Sequence, residues 1–512
     1  MLASLRSAAV FGIEAYPVEV QVDVSFGLPT FTMVGLPDLS VRESRDRVRS
    51  AIRNSGFDFP PHRITINLAP ADVRKAGSSF DLPIALGVLA ATGVVERRHV
   101  DDVVLLGELS LDGSIQPTRG VLPIAAAARR DGVASILLPS GNACEAAVVE
   151  RLRVIPVDSL ADAVKTLNAP GSARTAVVSP AVQQPPADCD VDFSDVRGQL
   201  LARRALEVAA AGGHNILLVG PPGAGKTMMA RRVPGILPPL SFDEALEATS
   251  IHSVCGMLPP GSSLLRERPF RAPHHTISDV ALVGGGSFPR PGEISLAHNG
   301  VLFLDEMPEF DRRVLEVLRQ PLEEGRVTIA RAARTAVFPA RFMLIAAMNP
   351  CPCGFLGDRT RVCRCTPPEI IRYRGRLSGP LRDRLDLIVE VPAVPASLLA
   401  EDEQAESSAA IRERVLLARE RQGTRQRTTG ARLNAELQGR AVWRQSRPTA
   451  AARRLLDQAV QRLGLSARGY HRVLKVARTI ADLAGADVVA AEHLGEALQY
   501  RMNDDQRVLE RA

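Results

Sequence analysis

The residues best suited to chemistry form one continuous motif near the middle of the chain. The run from Gly220 to Thr227 reads Gly-Pro-Pro-Gly-Ala-Gly-Lys-Thr and follows the apolar stretch 216–219. Glycines at this spacing let backbone N–H groups surround the phosphates of a nucleotide, and a helix N-terminus just beyond adds its positive dipole end. The lysine can reach the β- and γ-phosphates, and the threonine hydroxyl can ligate Mg²⁺. We predict that a nucleoside triphosphate is bound by Gly220, Pro221, Pro222, Gly223, Ala224, Gly225, Lys226 and Thr227.

Two further polar positions follow apolar runs and could complete a hydrolytic site. Asp305 and Glu306 end the run 301–304. Asp305 suits the Mg²⁺ shell, and Glu306 suits the general base that activates the attacking water. The pair could instead cap a helix, but the phosphate loop upstream favours hydrolysis. Asn349 follows the run 342–348 and could orient the lytic water, although Asn-Pro alone is also a turn signal.

Four of the seven cysteines cluster as Cys351-Pro-Cys353 and Cys363-Arg-Cys365. Paired cysteines across a short loop can fold four thiolates around one Zn²⁺ and so hold a loop that has no core of its own. Disulfides are not expected in a reducing compartment. The sequence therefore predicts a structural zinc site, and four free thiols are the alternative.

Length and composition bound the class of protein. A chain of 512 residues with 46% hydrophobic residues predicts two to four domains with ample core. The net charge of +6 permits a polyanionic partner, but the arginine content of a G+C-rich genome explains it equally well. The apolar run 82–95 is too short to span a bilayer, and the N-terminus does not resemble a signal peptide. We expect a cytoplasmic protein without a membrane partner.

Changes in pattern along the chain predict three domains. Residues 1–168 alternate short β-like runs with helical patterns, which indicates an α/β domain. Residues 169–187 are rich in Pro, Ser and Ala and read as a linker. Residues 188–395 carry the nucleotide machinery, and residues 396–512 are charged and helical.

The order of these motifs resembles the magnesium-chelatase-like branch of the AAA+ ATPases, and longer motifs resemble the ComM/YifB family within it. These are 195–199, 271–276, 284–286, 291–300, 349–354 and 377–386, and the resemblance extends over nearly the full length. It implies an N-terminal Lon-protease-like (S5-type) α/β domain, a central AAA+ P-loop α/β domain and a C-terminal helical lid. It also implies ATP and Mg²⁺ as cofactors, and a hexameric motor that acts on DNA without sequence preference. Branch migration in homologous recombination and natural transformation is the activity implied.

The main alternative within the same branch is the ATPase motor subunit of a magnesium chelatase. The fused Lon-like domain and the cysteine cluster are expected of ComM/YifB proteins instead. The chain also lacks the D-x-S-x-S pattern that would couple it to a chelatase partner. A third hypothesis is a recombination assembly factor that hydrolyses ATP only weakly.

The resemblance also assigns roles to three further arginines. Arg384 matches the finger that such motors insert into a neighbour's nucleotide site, which requires an oligomer. The alternatives are Arg382 as the finger, or an ordinary salt bridge of Arg384 with a neighbouring aspartate. Arg468 matches the second sensor of the γ-phosphate, with Arg472 as the second candidate.

Residues 325–341 read as a β-hairpin. Val327 and Ile329 alternate on one arm and Ala336 and Phe338 on the other, which places Arg331 and Arg334 near the tip. The segment resembles the presensor hairpin that related helicases project into their channel. We therefore expect Arg331 and Arg334 to contact DNA phosphates, with a solvated tip as the alternative.

Two other features receive structural interpretations. His274 and His275 lie in the segment 250–291, and we expect adjacent histidines to diverge and to be structural or pore-lining. Ser79 lies where the Lon family has its nucleophile, but the segment 107–122, where that family has its activating lysine, contains no lysine. Because a serine is a weak nucleophile without a base, we predict a non-proteolytic domain.

Overall fold

The computed structural model describes residues 1–71, 75, 77–96, 100, 102–169, 171, 174–176, 191–259, 261–286, 289–330, 335–358, 361–394 and 405–501. Within these residues, one sheet lies in the N-terminal part of the chain and a second lies in the centre. Helices alone make up the part that follows the second sheet. The predicted mixed α/β architecture with a helical C-terminal region is confirmed.

The first sheet has seven strands, β1 (Leu2–Phe11), β2 (Glu14–Ser25), β3 (Thr30–Val34), β4 (Arg63–Ala69), β5 (Val103–Leu105), β8 (Ser135–Pro139) and β9 (Arg153–Val157). Their order is β3-β4-β2-β1-β5-β8-β9, and β6 (Glu108–Leu109) pairs with β7 (Ile115–Gln116) beside it. Its helices are α1 (Leu39–Asn54), α2 (Asp81–Ala91), α3 (Val121–Arg130), α4 (Ala143–Ala146) and α5 (Leu160–Asn168). All of α2 is buried, so the long uncharged run forms a core helix.

The second sheet has five parallel strands in the order β11-β14-β17-β10-β18. The strands are β10 (Ile216–Val219), β11 (Phe270–Arg271), β14 (Val301–Leu304), β17 (Met343–Met348) and β18 (Leu387–Glu390). They are short and apolar, as expected for a parallel sheet covered on both faces. Parallel pairing brings the carboxyl ends of β10, β14 and β17 to one edge, where the predicted nucleotide residues follow.

Helices and two small hairpins surround this sheet. The helices are α6 (Leu200–Gly212), α7 (Lys226–Ile236), α8 (Phe242–Cys255), α9 (Asp279–Val283), α10 (Glu293–Leu296), α11 (Arg312–Glu316), α12 (Arg319–Glu324), α13 (Pro367–Arg374) and α14 (Gly379–Arg382). The hairpins are β12 (Gly284–Gly285) with β13 (Arg290–Pro291), and β15 (Arg326–Ala330) with β16 (Thr335–Pro339).

The last part of the chain is a helical lid, made of α15 (Ser408–Thr429), α16 (Arg440–Ser446), α17 (Ala450–Leu463), α18 (Ala467–Leu483) and α19 (Ala491–Gln499). The lid helices share one apolar core with β10, β17 and β18. Arg478 and Asp482 are buried in the lid and paired at 2.9 Å between Nη2 and Oδ1. Since Arg425 also binds Asp482, the buried carboxylate has two cationic partners.

The N-terminal domain packs directly on the nucleotide domain at two places. The turn between β1 and β2 brings Gly12 so close to the β15–β16 hairpin that a Cβ on it would lie 3.5 Å from the Ala336 Cβ. At the second place, the backbone N–H of Gly120 donates to the carbonyl of Ser253 on α8 at 3.1 Å. The Ser253 hydroxyl also donates to the buried carboxylate of Glu145.

Glu145 joins these two domains through several donors. The backbone N–H of Leu122 donates to its Oε1 at 2.9 Å, and the Asn142 side-chain amide donates to its Oε2 at 3.2 Å. Burial raises the pKa of Glu145, although the hydrogen bonds from Ser253, Leu122 and Asn142 act in the opposite direction. The carboxyl group is therefore a buried polar contact between domains.

No helix among the described residues is both long and apolar enough to cross a membrane.

Candidate nucleotide-hydrolysis site

The phosphate loop links β10 to α7 at the carboxyl edge of the second sheet. Gly220 leaves no room for a side chain, because a Cβ there would lie 2.1 Å from the carbonyl oxygen of Val391. Gly223 and Gly225 have φ angles of 78° and 86°, which side chains rarely adopt. A Cβ on Gly223 would meet no heavy atom within 4 Å, so this part of the loop faces open space. Glycine is therefore required for the loop's path and leaves its backbone accessible to a ligand.

Lys226 begins α7 and lies over the loop. Its ammonium donates to the carbonyls of Gly220 and Pro221 at 2.5 and 2.9 Å and to Asn349 Oδ1 at 3.3 Å. Burial lowers the pKa of Lys226, while the negative charges of Asp305 and Glu306 act in the opposite direction. The structure thus brings Lys226 and Asn349, which are far apart in sequence, to one point.

Thr227 and Asp305 lie together beside the phosphate loop. The Thr227 hydroxyl donates to Asp305 Oδ2 at 2.6 Å, so these two oxygens meet where β14 ends beside α7. A hydroxyl and a carboxylate at one point are a suitable ligand pair for Mg²⁺, which prefers oxygen ligands and shares them with substrate phosphates. The pair would hold the ion that neutralises phosphate charge during hydrolysis.

Glu306 turns away from Asp305 in an unusual backbone conformation. Its φ is 50°, a left-handed value that is uncommon outside glycine, and its side chain is 55% exposed. The carboxylate can therefore reach solvent in front of the loop, as a base that takes a proton from water must. His275 Nδ1 lies 3.8 Å from Glu306 Oε2.

The two adjacent histidines do not diverge as the sequence suggested. The ring centroids of His274 and His275 lie 4.1 Å apart with a 34° angle between the ring planes, so the two rings are in contact. His275 also meets the ring of Phe310 edge-on. The expected divergence was wrong because this turn brings both side chains to the same side, and His275 lies near the Glu306 carboxylate. The structural or pore-lining role stays a prediction.

Arg384 pairs with a carboxylate other than those of the neighbouring Asp383 and Asp386. Its guanidinium pairs with Glu323 on α12 and donates to the Pro380 carbonyl at 2.5 Å. Asp383 and Asp386 instead lie 3.8 Å from the guanidinium of Arg472. The ordinary salt bridge with Asp383 or Asp386 that the sequence left open for Arg384 is therefore wrong.

The two candidates for the second sensor differ in environment. Arg468 is exposed on the first turn of α18, and Arg472, one turn further along, is half-buried. Burial lowers the pKa of Arg472 to about 10, against the opposing effect of Asp386 and Asp383. Arg468 is therefore open to solvent, whereas Arg472 connects the lid to Asp386, the residue before β18.

Asp386 is the centre of the contact between lid and sheet. Its Oδ2 lies 3.3 Å from Nδ1 of His214, whose Nε2 lies 2.8 Å from the Thr479 hydroxyl. Burial would raise the pKa of Asp386, but the His214 hydrogen bond and the charges of Lys475 and Arg472 outweigh it and hold the pKa below its usual range. The sheet and the lid are thus linked by polar as well as apolar contacts.

The presensor hairpin forms with the predicted pairing. Val327 faces Phe338 and Ile329 faces Ala336, and these four side chains are buried while their neighbours along both strands are mostly exposed. The tip, with the predicted DNA contacts Arg331 and Arg334, lies outside the described residues.

The four clustered cysteines converge directly after Asn349. The sulfur of Cys351 lies 3.4 Å from that of Cys353 and 3.7 Å from that of Cys363, and the sulfur of Cys365 belongs to the same group within 4.8 Å. Among the described residues, these four cysteines are the one group whose ligand atoms are close enough for a shared metal ion.

The segment 107–122, where the Lon family has its activating lysine, has no lysine that could activate Ser79. Ser79 is half-buried, and its carbonyl accepts the N–H of Gly107 at 3.0 Å. The nearby Asp81 is fully buried and binds Arg47 at 2.7 Å, so its carboxylate is already paired. The carboxylate of Glu108 accepts the hydroxyl of Ser78, the residue before Ser79.

Two contributors to the site were not assigned from the sequence. The Gln199 side-chain amide donates to the carbonyl of Ala224 at 3.3 Å and to that of Pro392 at 2.6 Å, and so ties the phosphate loop to the segment after β18. Tyr373 makes a hydrogen bond with the backbone of Asn349, and burial raises the pKa of Tyr373 to about 12. Gln199 lies in the motif 195–199 before α6, which could have marked it as functional in the sequence. No motif in the sequence marks Tyr373.

Comparison with known proteins supports the class that the fold and the phosphate loop define. Residues 192–399 match the family described as magnesium chelatase, subunit ChlI. Residues 20–142 match subunit ChlI of Mg-chelatase, and residues 405–501 match the magnesium chelatase, subunit ChlI C-terminal family. The chain is thus a magnesium-chelatase-like AAA+ protein.

Relatives of similar length show to which family within this class the chain belongs. The chain is 46% identical to the protein YifB of Salmonella typhimurium over 506 residues, which cover 98% of this chain and 97% of that protein. It is 45% identical to the competence protein ComM of Haemophilus influenzae, with the same coverage of both chains. The chain belongs to the ComM/YifB family. A 154-residue stretch is also 32% identical to a Lon protease of Chloroflexus aurantiacus, covering 28% of this chain and 18% of that one.

Proposed function

We propose that this chain is the subunit of a homohexameric, ATP-driven motor that moves on branched DNA during homologous recombination or natural transformation. The observation that carries the proposal is the convergence of hydrolytic groups at one edge of the second sheet. Lys226, Thr227, Asp305 and Asn349 converge there, and Glu306 faces solvent next to them. The full-length relative named competence protein ComM supports a role in DNA uptake or recombination. We expect a motor of this kind to act in the cytoplasm.

Each residue then has one task in hydrolysis. The loop 220–225 and Lys226 bind the phosphates of ATP, and Thr227 and Asp305 hold Mg²⁺. Glu306 takes a proton from the attacking water, which Asn349 orients. Arg384 of one subunit stabilises the charge on the γ-phosphate in the next subunit, and Arg468 contacts that phosphate from the lid.

We also propose that Cys351, Cys353, Cys363 and Cys365 bind one Zn²⁺. A tetrahedral site with Zn–S bonds of about 2.3 Å places sulfurs about 3.8 Å apart. Three of the measured separations are 3.4, 3.7 and 3.6 Å, so the thiols are arranged closely enough for one ion.

The magnesium-chelatase motor is the second candidate, and the family matches by name favour it. The full-length relative named competence protein ComM favours the DNA motor instead. ATP turnover should be measured with four-way, forked and linear DNA and without DNA. We expect branched DNA to stimulate turnover. If the protein neither binds DNA at low salt nor responds to it, the DNA motor is wrong and the chelatase becomes the better candidate.

A further inference from the structure

The cysteine cluster lies between two elements of the hydrolytic site. Its loop, residues 350–366, starts after Asn349 at the end of β17 and ends at the first turn of α13. Tyr373 on α13 bonds the backbone of Asn349, and Arg374 Nε donates to the carbonyl of Pro350 at 3.1 Å. The loop is therefore anchored at the residue that contacts Lys226.

Gly354 of the same loop packs against Pro222 of the phosphate loop. Gly354 has a φ of 84°, and a Cβ on it would lie 2.6 Å from Cδ of Pro222. The same Cβ would lie 3.9 Å from Cγ of Asn349. Gly354 thus occupies the space between Pro222 and Asn349, and its position limits where both can lie.

Apolar packing does little to hold this loop. Cys351 is buried, but the other three cysteines are half-buried and Val362 is 87% exposed. A loop without its own core needs cross-links to keep one conformation, and four thiolates on one metal ion supply them.

One backbone group donates to a sulfur of the cluster. The N–H of Cys353 donates to Cys365 Sγ at 3.4 Å. Such a donor orients a metal-bound thiolate. This contact accompanies the short sulfur–sulfur distances that favour a metal site.

We propose that the zinc-bound loop is a positioning element of the ATP site. With the metal bound, Gly354 holds Pro222 and Asn349 in place, so that Asn349 meets Lys226 and the phosphate loop keeps its shape. Without the metal, Gly354 no longer holds Pro222 and Asn349 in place. This inference rests on the proposed zinc site and on ATP hydrolysis, but it does not depend on DNA.

Zinc content, nucleotide affinity and basal ATP turnover of the full-length protein test the inference, all without DNA. Wild-type protein purified without chelators should contain about one zinc per chain. Cys353→Ser with Cys365→Ser should lose the metal, become protease-sensitive in the loop, and hydrolyse ATP about 10- to 100-fold more slowly, since small misplacement of catalytic groups has effects of this size. Chelation of the wild type should have the same effect, and added Zn²⁺ should reverse it.

Gly354→Ala separates the contact from the metal, because it keeps all four cysteines. It should retain zinc but weaken ATP binding or turnover, as its Cβ displaces Pro222. Cys144→Ser, at an exposed cysteine outside the cluster, should behave like wild type.

Three results would overturn the inference. The first is wild-type protein without zinc. The second is a zinc-free cysteine variant that hydrolyses ATP at the wild-type rate, and the third is normal ATP binding and turnover in Gly354→Ala. If DNA does not stimulate ATP turnover by the wild-type protein, that result counts against the DNA motor and not against this inference.

Discussion

The guanidinium of Arg384 is paired with the carboxylate of Glu323 in the same chain, and the Arg384 side chain is only 11% exposed. An arginine that acts on a neighbour's nucleotide must leave such a partner when the subunits meet. The pair therefore predicts that Glu323 holds the finger of an isolated subunit, and that assembly exchanges this carboxylate for the phosphate of the next subunit.

We first predict that Arg384 acts in trans. Arg384→Ala should bind ATP normally and hydrolyse it at least about 1,000-fold more slowly, the size of the effect of such fingers. Mixing it with Glu306→Gln, which carries an intact Arg384 but lacks the base, should restore part of the turnover. Steady-state ATPase assays over a range of mixing ratios measure this.

Two further variants complete that experiment. Glu323→Gln should keep or raise turnover, because it releases Arg384, and Arg382→Ala tests the other candidate finger. If mixed subunits co-assemble on a sizing column but turnover is not restored, Arg384 does not act in trans.

The second prediction separates binding from hydrolysis. Lys226→Ala should weaken ATP binding because it removes the charge beside the β- and γ-phosphates. Glu306→Gln should bind ATP like wild type but lose turnover, because the base is lost and the phosphate contacts remain. Binding of a fluorescent ATP analogue and phosphate release measure the two steps. Glu309→Gln, a nearby carboxylate paired with Arg376, serves as the control. Wild-type turnover in Glu306→Gln would mean that another group is the base.

The third prediction concerns DNA binding by the hairpin. Arg331→Ala with Arg334→Ala should lower DNA affinity equally for unrelated sequences. The slope of log affinity against log salt should flatten by about one unit for each DNA phosphate that the variant no longer neutralises. Basal ATPase should remain. Arg454→Ala with Arg462→Ala removes the same charge from exposed sites on α17 and should change neither property. A double hairpin variant that binds DNA with the wild-type slope would place the DNA-binding residues elsewhere, first in the segment 250–291.

The fourth prediction concerns pH and the contact between the domains. Because burial raises the pKa of Glu145 above 4.5, the folded protein keeps its proton to a higher pH than the unfolded chain does. The resulting stability is complete below the unfolded pKa and is lost as pH rises through the folded pKa. Glu145→Gln cannot titrate, so its free energy of unfolding should rise relative to wild type between about pH 4.5 and the folded pKa.

Urea unfolding followed by circular dichroism at several pH values in this window measures the difference. Glu150→Gln changes an exposed carboxylate close by and should show no such trend. A constant difference between Glu145→Gln and wild type across the window contradicts the prediction.

Features encoded by continuous sequence were the most predictable. The phosphate loop combines a strand, its glycines and a helix start in adjacent residues, so its form follows from local chemistry. The hairpin was predictable for a similar reason, since alternating burial along its two arms fixes the pairing of Val327 with Phe338 and of Ile329 with Ala336.

Contacts between distant segments could not be predicted in the same way. Nothing in the type of Glu323 marks it as the partner of Arg384, because exposed carboxylates are common along this chain. The approach of Gly354 to Pro222 depends on the path of a loop between two elements, and a glycine's place in sequence does not reveal which neighbour it meets. The contact between the rings of His274 and His275 likewise depends on the backbone turn that carries them.

The two places where the N-terminal domain meets the rest of the chain have a consequence for how the protein can be divided. Phe11 and Ile13 pack against the same apolar core that contains Phe338, and Glu145 accepts the Ser253 hydroxyl. A fragment that began at residue 188 would expose the apolar side of the hairpin to water and leave Ser253 without its carboxylate. We therefore expect the remaining part of the chain to be less stable without the first domain, because that domain covers part of its apolar core.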